Sequence, residues 1–345
     1  MDTLTRRNFI RAAGLAGLGM AAPPVWRALA AGDSAPWSGP ALGWPGGYSL
    51  GRVTLNVLTA YAEPSWHAPA TGVLYYDDVV GVQGAVEGEG LYGNNNVYLK
   101  TEHGFLYSSF VQPVRDQHNG VKGDVDEGFW AEVSVPFSDA RAAPDPAASR
   151  RSRMYHSTVH RVVGLAPGAD GQPWYEVSEE WFTYFIPAAH LRPISPGEVG
   201  PIGGDPAAKR IEVHIGSQSL TAFEGDRPVL TTLCSTGVPG WDTPFGDYPI
   251  IDKRHGTRMT GAASDEHYNL PGVPFAAYIT RSWIAIHGAY WHNDYGRRRS
   301  HGCINVPPEV ARWLFQWTTP PANYHAFRTW TADTGVPGTV VSIGW

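Results

Sequence analysis

Two stretches of this chain repeat one another, and no other feature restricts the fold as strongly. The first runs from "GRVTLNVLTAYAEPS" through "LYYDDVVGVQGAV" to "NNVYLKTEHGFLYSSFVQPV". The second runs from "WAEVSVPFSDARAAPDP" through "RMYHSTVHRVVGLA" to "QPWYEVSEEWFTYFIPAAHLRPI". Tyr76 aligns with Tyr155, Tyr98 with Tyr175 and Pro113 with Pro193, at offsets of 79, 77 and 80. A near-constant offset over matching patterns marks a duplicated unit, here of about 65–70 residues. Within each copy, short alternating apolar runs end at turn residues, so each copy is expected to be a small all-β barrel. Composition agrees, because 40 Gly and 29 Pro favour many turns and short strands over long helices.

The rest of the chain divides around this repeat. Residues 1–31 carry paired arginines, Arg6 and Arg7, then an apolar small-residue run from Ala12 to Ala22. Ala28-Leu29-Ala30 fits a small-residue cleavage site, so this segment is expected to be a signal peptide. The run from Thr5 to Arg11 resembles a twin-arginine export signal. Its apolar core is far shorter than the roughly 20 residues that a membrane span needs. Gly/Pro-rich residues 32–48 read as a linker, 49–115 and 129–195 as the repeated domains, and 196–208 as a second linker. The remaining domain, 209–345, is expected to be mostly β, with strands near Phe245–Ile251, Phe275–Thr280, Trp283–His287 and Thr339–Ile343. One helix is expected over Pro307–Thr319, where Val310, Trp313, Leu314 and Trp317 share a face.

Charge narrows the partners. The net charge of −6 becomes about −9 without residues 1–31, which hold four Arg and one Asp. An acidic chain without long basic runs is a poor nucleic-acid binder. The strongest local basic run, Arg297 to Arg299, abuts one of only two cysteines. That cysteine, Cys303, lies in "RSHGCIN", sixteen residues after His287 in "IAIHGAY". A lone thiol can be a core residue, half of a disulfide, a metal ligand or a nucleophile. Two cysteines in a large chain do not make a disulfide framework, and Cys234 in "VLTTLCSTG" reads as a small core residue. His287, His292, Asp294, His301 and Cys303 match no standard zinc spacing, so neither metal nor cofactor is expected. A nucleophile needs its proton removed, and a neighbouring imidazole can take it and stabilise the thiolate. Cys303 follows Gly302 and precedes the helix, so backbone amides there can hold an oxyanion.

The whole stretch "HGAYWHNDYGRRRSHGCINV" resembles the signature of the L,D-transpeptidase (YkuD-type) catalytic domain. The opening "I-x-V-x-I-x-x-Q-x-L", "CSTG", "TPFGDYPI" and the closing "GTVVSI" extend that resemblance over about residues 209–345. Papain-like peptidases place Cys before His, and sortases lack the His-Gly-Cys run. The resemblance implies a β-sandwich with one or two short helices. It also implies Cys303 as nucleophile, His287 as general base and the Gly288 carbonyl as the group that orients the imidazole. Gly302 and Cys303 amides become the oxyanion donors, while Ser300, His301 and Asn305 shape the loop. Asn305 stands where many members have Arg, so substrate carboxylates are assigned to Arg297, Arg298 and Arg299, with Trp291, Tyr278 and Tyr268 completing the substrate site. The two repeats resemble bacterial SH3-like domains, which accompany cell-wall enzymes and bind peptidoglycan or line a groove.

The implied fold is thus mainly β: two SH3-like barrels followed by the catalytic sandwich. The implied protein is exported to the periplasm, cell wall or exterior, with no stable span once its signal is removed. Its implied activity is attack on peptidoglycan stem peptides through a thioester, D-Ala release and 3→3 cross-linking or anchoring of a wall protein, in wall biogenesis and cell shape. Carbapenems are its expected acylators. L,D-carboxypeptidase activity and non-catalytic wall binding are the alternatives.

Overall fold

The computed structural model describes residues 44–179, 182–263 and 266–345. The signal expected at 1–31 and most of the linker 32–48 lie outside the described residues.

The first repeat folds into two small sheets. Leu50–Val53 lies between Val79–Gly81 and Val111–Val114. The other sheet runs in the order Ala70–Tyr75, Val57–Tyr61, Gly104–Tyr107, Asn95–Thr101, Gly84–Tyr92. Val53, Leu58, Leu99, Leu106 and Val111 alternate inward and form its own core. The second repeat makes one seven-stranded sheet, with Phe129–Val133, Val159–Pro167 and Pro173–Glu179 towards its middle. Phe129, Val133, Met154, Tyr175, Ile186 and Leu191 fill it.

Neither repeat closes into the expected barrel. Closure requires every strand to bond on both sides. Val79–Gly81 is three residues long and bonds to Leu50–Val53 alone. In the second repeat, Arg150–Tyr155 and Leu191–Ile194 each bond to one neighbour and end the sheet.

The pairings also correct the alignment of the copies. Gly51 faces Pro113 and Ala131 faces Pro193, which keeps Pro113 matched to Pro193 at an offset of 80. Val57 pairs with Tyr75 as Phe137 pairs with Tyr155, so Tyr155 is the counterpart of Tyr75 and not of Tyr76. Asp77 and Ser157 then coincide, and both take a positive φ, of 74° and 68°. Leu99 opposes Leu106 as Tyr175 opposes Ile186, so Tyr98 corresponds to Trp174 and not to Tyr175. Adjacent aromatic residues in both copies hid these one-residue shifts.

Two five-stranded sheets build the C-terminal unit. One runs Arg227–Leu233, Ser219–Glu224, Lys209–His214, Val340–Gly344, Gly246–Pro249, and its opening and closing strands pair in parallel. The other runs Ile304–Val306, Ala285–Gly288, Glu266–Tyr278, Asp252–Ala263, Thr329–Trp330. Apolar faces of both sheets and the helix Pro308–Trp317 share one core, including Ile211, Val213, Leu220, Phe275, Ile286, Ile304, Val310 and Leu314. Pro308 suits the helix start, where its missing N–H has no intrahelical partner to lose. Among the described residues, no helix is long and apolar enough to cross a membrane.

In the long hairpin of Asp252–Ala263 and Glu266–Tyr278, the second strand begins nine residues before the expected Phe275–Thr280 strand and ends two residues short of it. Its sequence breaks simple alternation. A register shift lies between Thr257 and Met259, and Gly272 and Phe275 have φ of +59° and +55°. Such irregularities bend a strand and re-aim its side chains.

Candidate active site

The strands Ala285–Gly288 and Ile304–Val306 pair in parallel, with Ile286 opposite Ile304, His287 opposite Asn305 and Gly288 opposite Val306. Cys303 immediately precedes the second of these strands, so parallel pairing brings it to the strand that carries His287, two register positions from the histidine. His287 is only 2% exposed, and its Nδ1 donates to the Gly288 carbonyl at 3.1 Å. A carbonyl only accepts, so Nδ1 carries the proton and Nε2 keeps its lone pair as a base.

The cysteine loop is fixed by its backbone. Gly302 has φ +107°, a conformation that a side chain resists. Thr243, in the "TPFG" segment, accepts from the Gly237 amide at 2.9 Å and donates to the Gly302 carbonyl at 2.8 Å. Thr236 accepts from the Arg299 and Ser300 amides through its carbonyl, at 2.9 and 3.1 Å. Ser300 Oγ bonds the Cys303 carbonyl and accepts from the Gly302 amide at 3.1 Å. The Gly302 amide, expected as an oxyanion donor, is thus engaged by Ser300 Oγ in this structure.

The thiol and imidazole rest as a neutral pair. Burial pushes the Cys303 thiol up to about 11, against a smaller downward pull from the Ala285 amide. Burial also holds His287 down to about 4, although the Gly288 carbonyl favours its charged form. A resting thiolate–imidazolium pair, as the sequence led us to expect, is therefore disfavoured. The Cys303 thiol instead donates to the Trp283 carbonyl at 3.8 Å. Trp283 is 54% exposed and has φ +69°, at the turn joining the long hairpin to the histidine strand.

Aromatic rings surround this pair. His301 packs against Tyr268 and Trp241, each with ring centres 5.1 Å apart. Trp291 lies 5.7 Å from the His287 ring. Tyr278 and Trp283 meet edge to face at 5.6 Å. Burial raises the Tyr268 hydroxyl, and nearby Cys303 adds to that shift. Among the described residues, no group of three or more His, Cys, Asp or Glu side chains is arranged to hold a metal ion.

With this geometry in view, residues 208–343 match the YkuD family, the L,D-transpeptidase catalytic domain. This segment belongs to that family. L,D-transpeptidase 1 of Mycobacterium tuberculosis is 29% identical over 113 residues, covering 30% of this chain and 45% of that protein. The match thus spans about half the length of that relative. Probable L,D-transpeptidase 3 of the same organism is 27% identical over 278 residues, covering 69% of this chain and 92% of its own length. A solved Enterococcus faecium L,D-transpeptidase aligns at a TM-score of 0.32 and 25% identity, over 39% of this chain and 49% of its own.

Several sequence-assigned substrate residues of this L,D-transpeptidase domain are engaged elsewhere. Arg297 and Arg299 reach the fully buried Asp294 carboxylate at 3.0 and 3.2 Å. Arg297 also lies 3.4 Å from the centre of the Tyr92 ring in the first repeat. Arg298 pairs with Asp242 at 2.9 Å. Asn305 is 1% exposed, and its amide meets His292 Nε2 at 3.1 Å. Tyr278 is buried and bonded to Thr257, with burial raising its hydroxyl to about 12. Asn305 and Tyr278 are buried, whereas the three arginines are partly open, each held in an ion pair. Tyr268, Trp291 and His301 remain partly open beside Cys303 and His287.

Sequence reasoning assigned no role to Thr243, Trp241, Trp283 or Asp294. Asp294 was legible as a carboxylate three residues before Arg297, the spacing of its ion pair. The first repeat also reaches this site. Arg52, fully buried, donates to the Tyr290 carbonyl at 2.8 Å, and Asn94 donates to the Tyr295 carbonyl at 2.8 Å.

Proposed function

We propose that this protein is an exported L,D-transpeptidase acting on peptidoglycan stem peptides. The observation that supports the reading most directly is His287, its tautomer fixed by the Gly288 carbonyl, on the strand paired to the one that Cys303 opens. As Cys303 Sγ attacks the carbonyl between stem residue three and the terminal D-Ala, its proton passes to His287 Nε2. Proton transfer and attack belong to one step, because the resting pair is neutral. The Cys303 amide stabilises the developing oxyanion. His287 then returns the proton to the departing D-Ala amine, leaving a thioester. A side-chain amine of a second stem attacks the thioester, frees the thiol and makes the 3→3 cross-link. A wall-protein amine or water as acceptor gives anchoring or L,D-carboxypeptidation.

On this reading, residues 1–31 direct export to the periplasm or cell wall, and residues 49–115 and 129–195 are SH3-like domains that frame the catalytic unit and meet the wall polymer. Incubation with a disaccharide-tetrapeptide, followed by mass spectrometry, separates the outcomes. Acyl-enzyme with dimer supports transpeptidation, whereas acyl-enzyme with only tripeptide supports hydrolysis. Cys303→Ala should lose D-Ala release and any carbapenem adduct while keeping the wild-type fold. Turnover or an adduct in that variant would refute the nucleophile assignment.

A further inference from the structure

One residue beside the thiol sits in a backbone conformation that its side chain resists. Between the long hairpin and the histidine strand the chain reverses tightly. The Ile279 amide donates to the Ile284 carbonyl at 2.8 Å, and the Trp283 amide to the Thr280 carbonyl at 3.2 Å. Thr280 Oγ1 accepts from the Ile284 amide at 3.1 Å. Trp283 closes this turn at φ +69°, an angle that suits Gly and strains a bulky residue. Such strain persists where the surroundings impose it, and it clusters at functional sites. Phe275 has a similar φ of +55°, but its ring is held in the shared core. More than half of Trp283 lies open, so packing does not account for its ring.

The place of that ring is informative. The Trp283 carbonyl accepts from the Cys303 thiol, and the next residue, Ile284, lies 3.4 Å from where a Cβ on Gly302 would stand. Buried Tyr278 meets the indole edge to face at 5.6 Å, and the buried Arg254 guanidinium lies 5.3 Å over it. The Tyr278 hydroxyl itself senses Cys303. Buried neighbours thus hold part of the indole while the rest stays open beside the thiol. We propose that Trp283 contacts the substrate: its indole packs on the aliphatic carbons of the donor stem peptide, next to the carbonyl that Cys303 attacks. The inference rests on the L,D-transpeptidase reading above. A flat, rigid ring buries apolar area with few torsions to freeze, and the strained backbone serves to present it.

The test compares the full chain with Trp283→Gly, which removes the ring and fits the backbone, and Trp283→Phe, which keeps an apolar ring. D-Ala release from a disaccharide-tetrapeptide, thermal melting and Cys303 alkylation by iodoacetamide are measured for all three. Trp283→Gly should raise KM by about tenfold with kcat within about twofold, the pattern of lost binding that ground and transition states share. Its melting temperature should not fall, because Gly adopts a positive φ freely. Its alkylation rate should match wild type, since that small reagent needs no stem contact. Trp283→Phe should recover most of the lost affinity. An unchanged KM in Trp283→Gly overturns the contact alone. A lower melting temperature with altered alkylation also overturns it, because Trp283 would then be a support of the cysteine loop. Wild-type protein that releases no D-Ala overturns the proposed reaction, and this contact with it.

Discussion

The two repeats descend from one pattern, yet they meet the catalytic unit in opposite ways. The second repeat merges with it. Trp130, Val159 and Ile194 belong to the same buried cluster as Phe275, Ile304 and Leu314. Trp130 stacks on His255 at 5.0 Å and donates to the Tyr324 carbonyl at 2.8 Å. The first repeat keeps its main core to itself, lends Tyr76 to a small cluster with Tyr155, Val273 and Tyr290, and otherwise grips through polar groups. Arg52 and Asn94 hold the carbonyls of Tyr290 and Tyr295, and Asn293 donates to the Ser108 carbonyl at 3.2 Å. All three contacts fall on the segment joining His287 to Cys303. A continuous apolar interface fixes two units as one body, whereas a polar one sets position at little cost in area. Duplication thus yielded one copy that stabilises the catalytic unit and one that braces its catalytic segment.

The largest break in this contrast should come from Trp130→Ala. Removing a fully buried tryptophan from a shared core should cost about 3–5 kcal/mol. Urea denaturation should show the second repeat and catalytic unit weakening together, and a loss confined to the second repeat would deny the shared core. Acid should strain both interfaces next. His156, whose carbonyl accepts from Gln112 of the first repeat, and His255, stacked on Trp130, are each held down to about 3 by burial. The unfolded chain binds these protons below an ordinary value of about 6.5 and the folded chain refuses them until about 3. Stability is therefore complete above about pH 6.5 and falls as pH drops from there towards about 3. Melting temperature should decline from pH 7 to pH 4, and His255→Phe, which keeps an aromatic ring but cannot titrate, should flatten that decline.

Asn94→Ala isolates the bracing copy. Losing its hydrogen bonds should change stability by only about 1 kcal/mol. Because the catalytic segment loses its hold, acyl transfer should slow by about tenfold. Equal losses in stability and rate would mean that the first repeat merely supports the fold. The smallest effect expected is on Cys303 alkylation near neutral pH. With its thiol pushed up to about 11, the rate should climb steadily from pH 7 to pH 10 with no plateau at pH 6. A plateau near pH 6 would restore the ion pair.

Much of this was legible in the sequence where chemistry is local. The Cys303 loop, His287 strand, closing strand and helix face each announce themselves within a few residues. The long hairpin did not, because Pro271, Pro274 and the shift near Thr257 interrupt its alternation. The arginine run was visible as charge, but its direction was not. Local sequence shows that Asp294 is near Arg297 in the chain, and only packing shows that it is fully buried and draws both Arg297 and Arg299 inward. Likewise nothing near Arg52 in the sequence marks the Tyr290 carbonyl, 238 positions away, as its partner.

The shared core also decides where this polypeptide can be divided. A fragment beginning at residue 208, where the family match begins, retains His255, Phe315 and Tyr324 but lacks the tryptophan that covers them. That fragment presents an uncovered apolar socket to water, the kind of surface that drives association. Cutting instead before Phe129, within the chain between the two repeats, keeps the socket filled, because Trp130 stays with His255 and Tyr324. The soluble catalytic fragment is therefore the longer one.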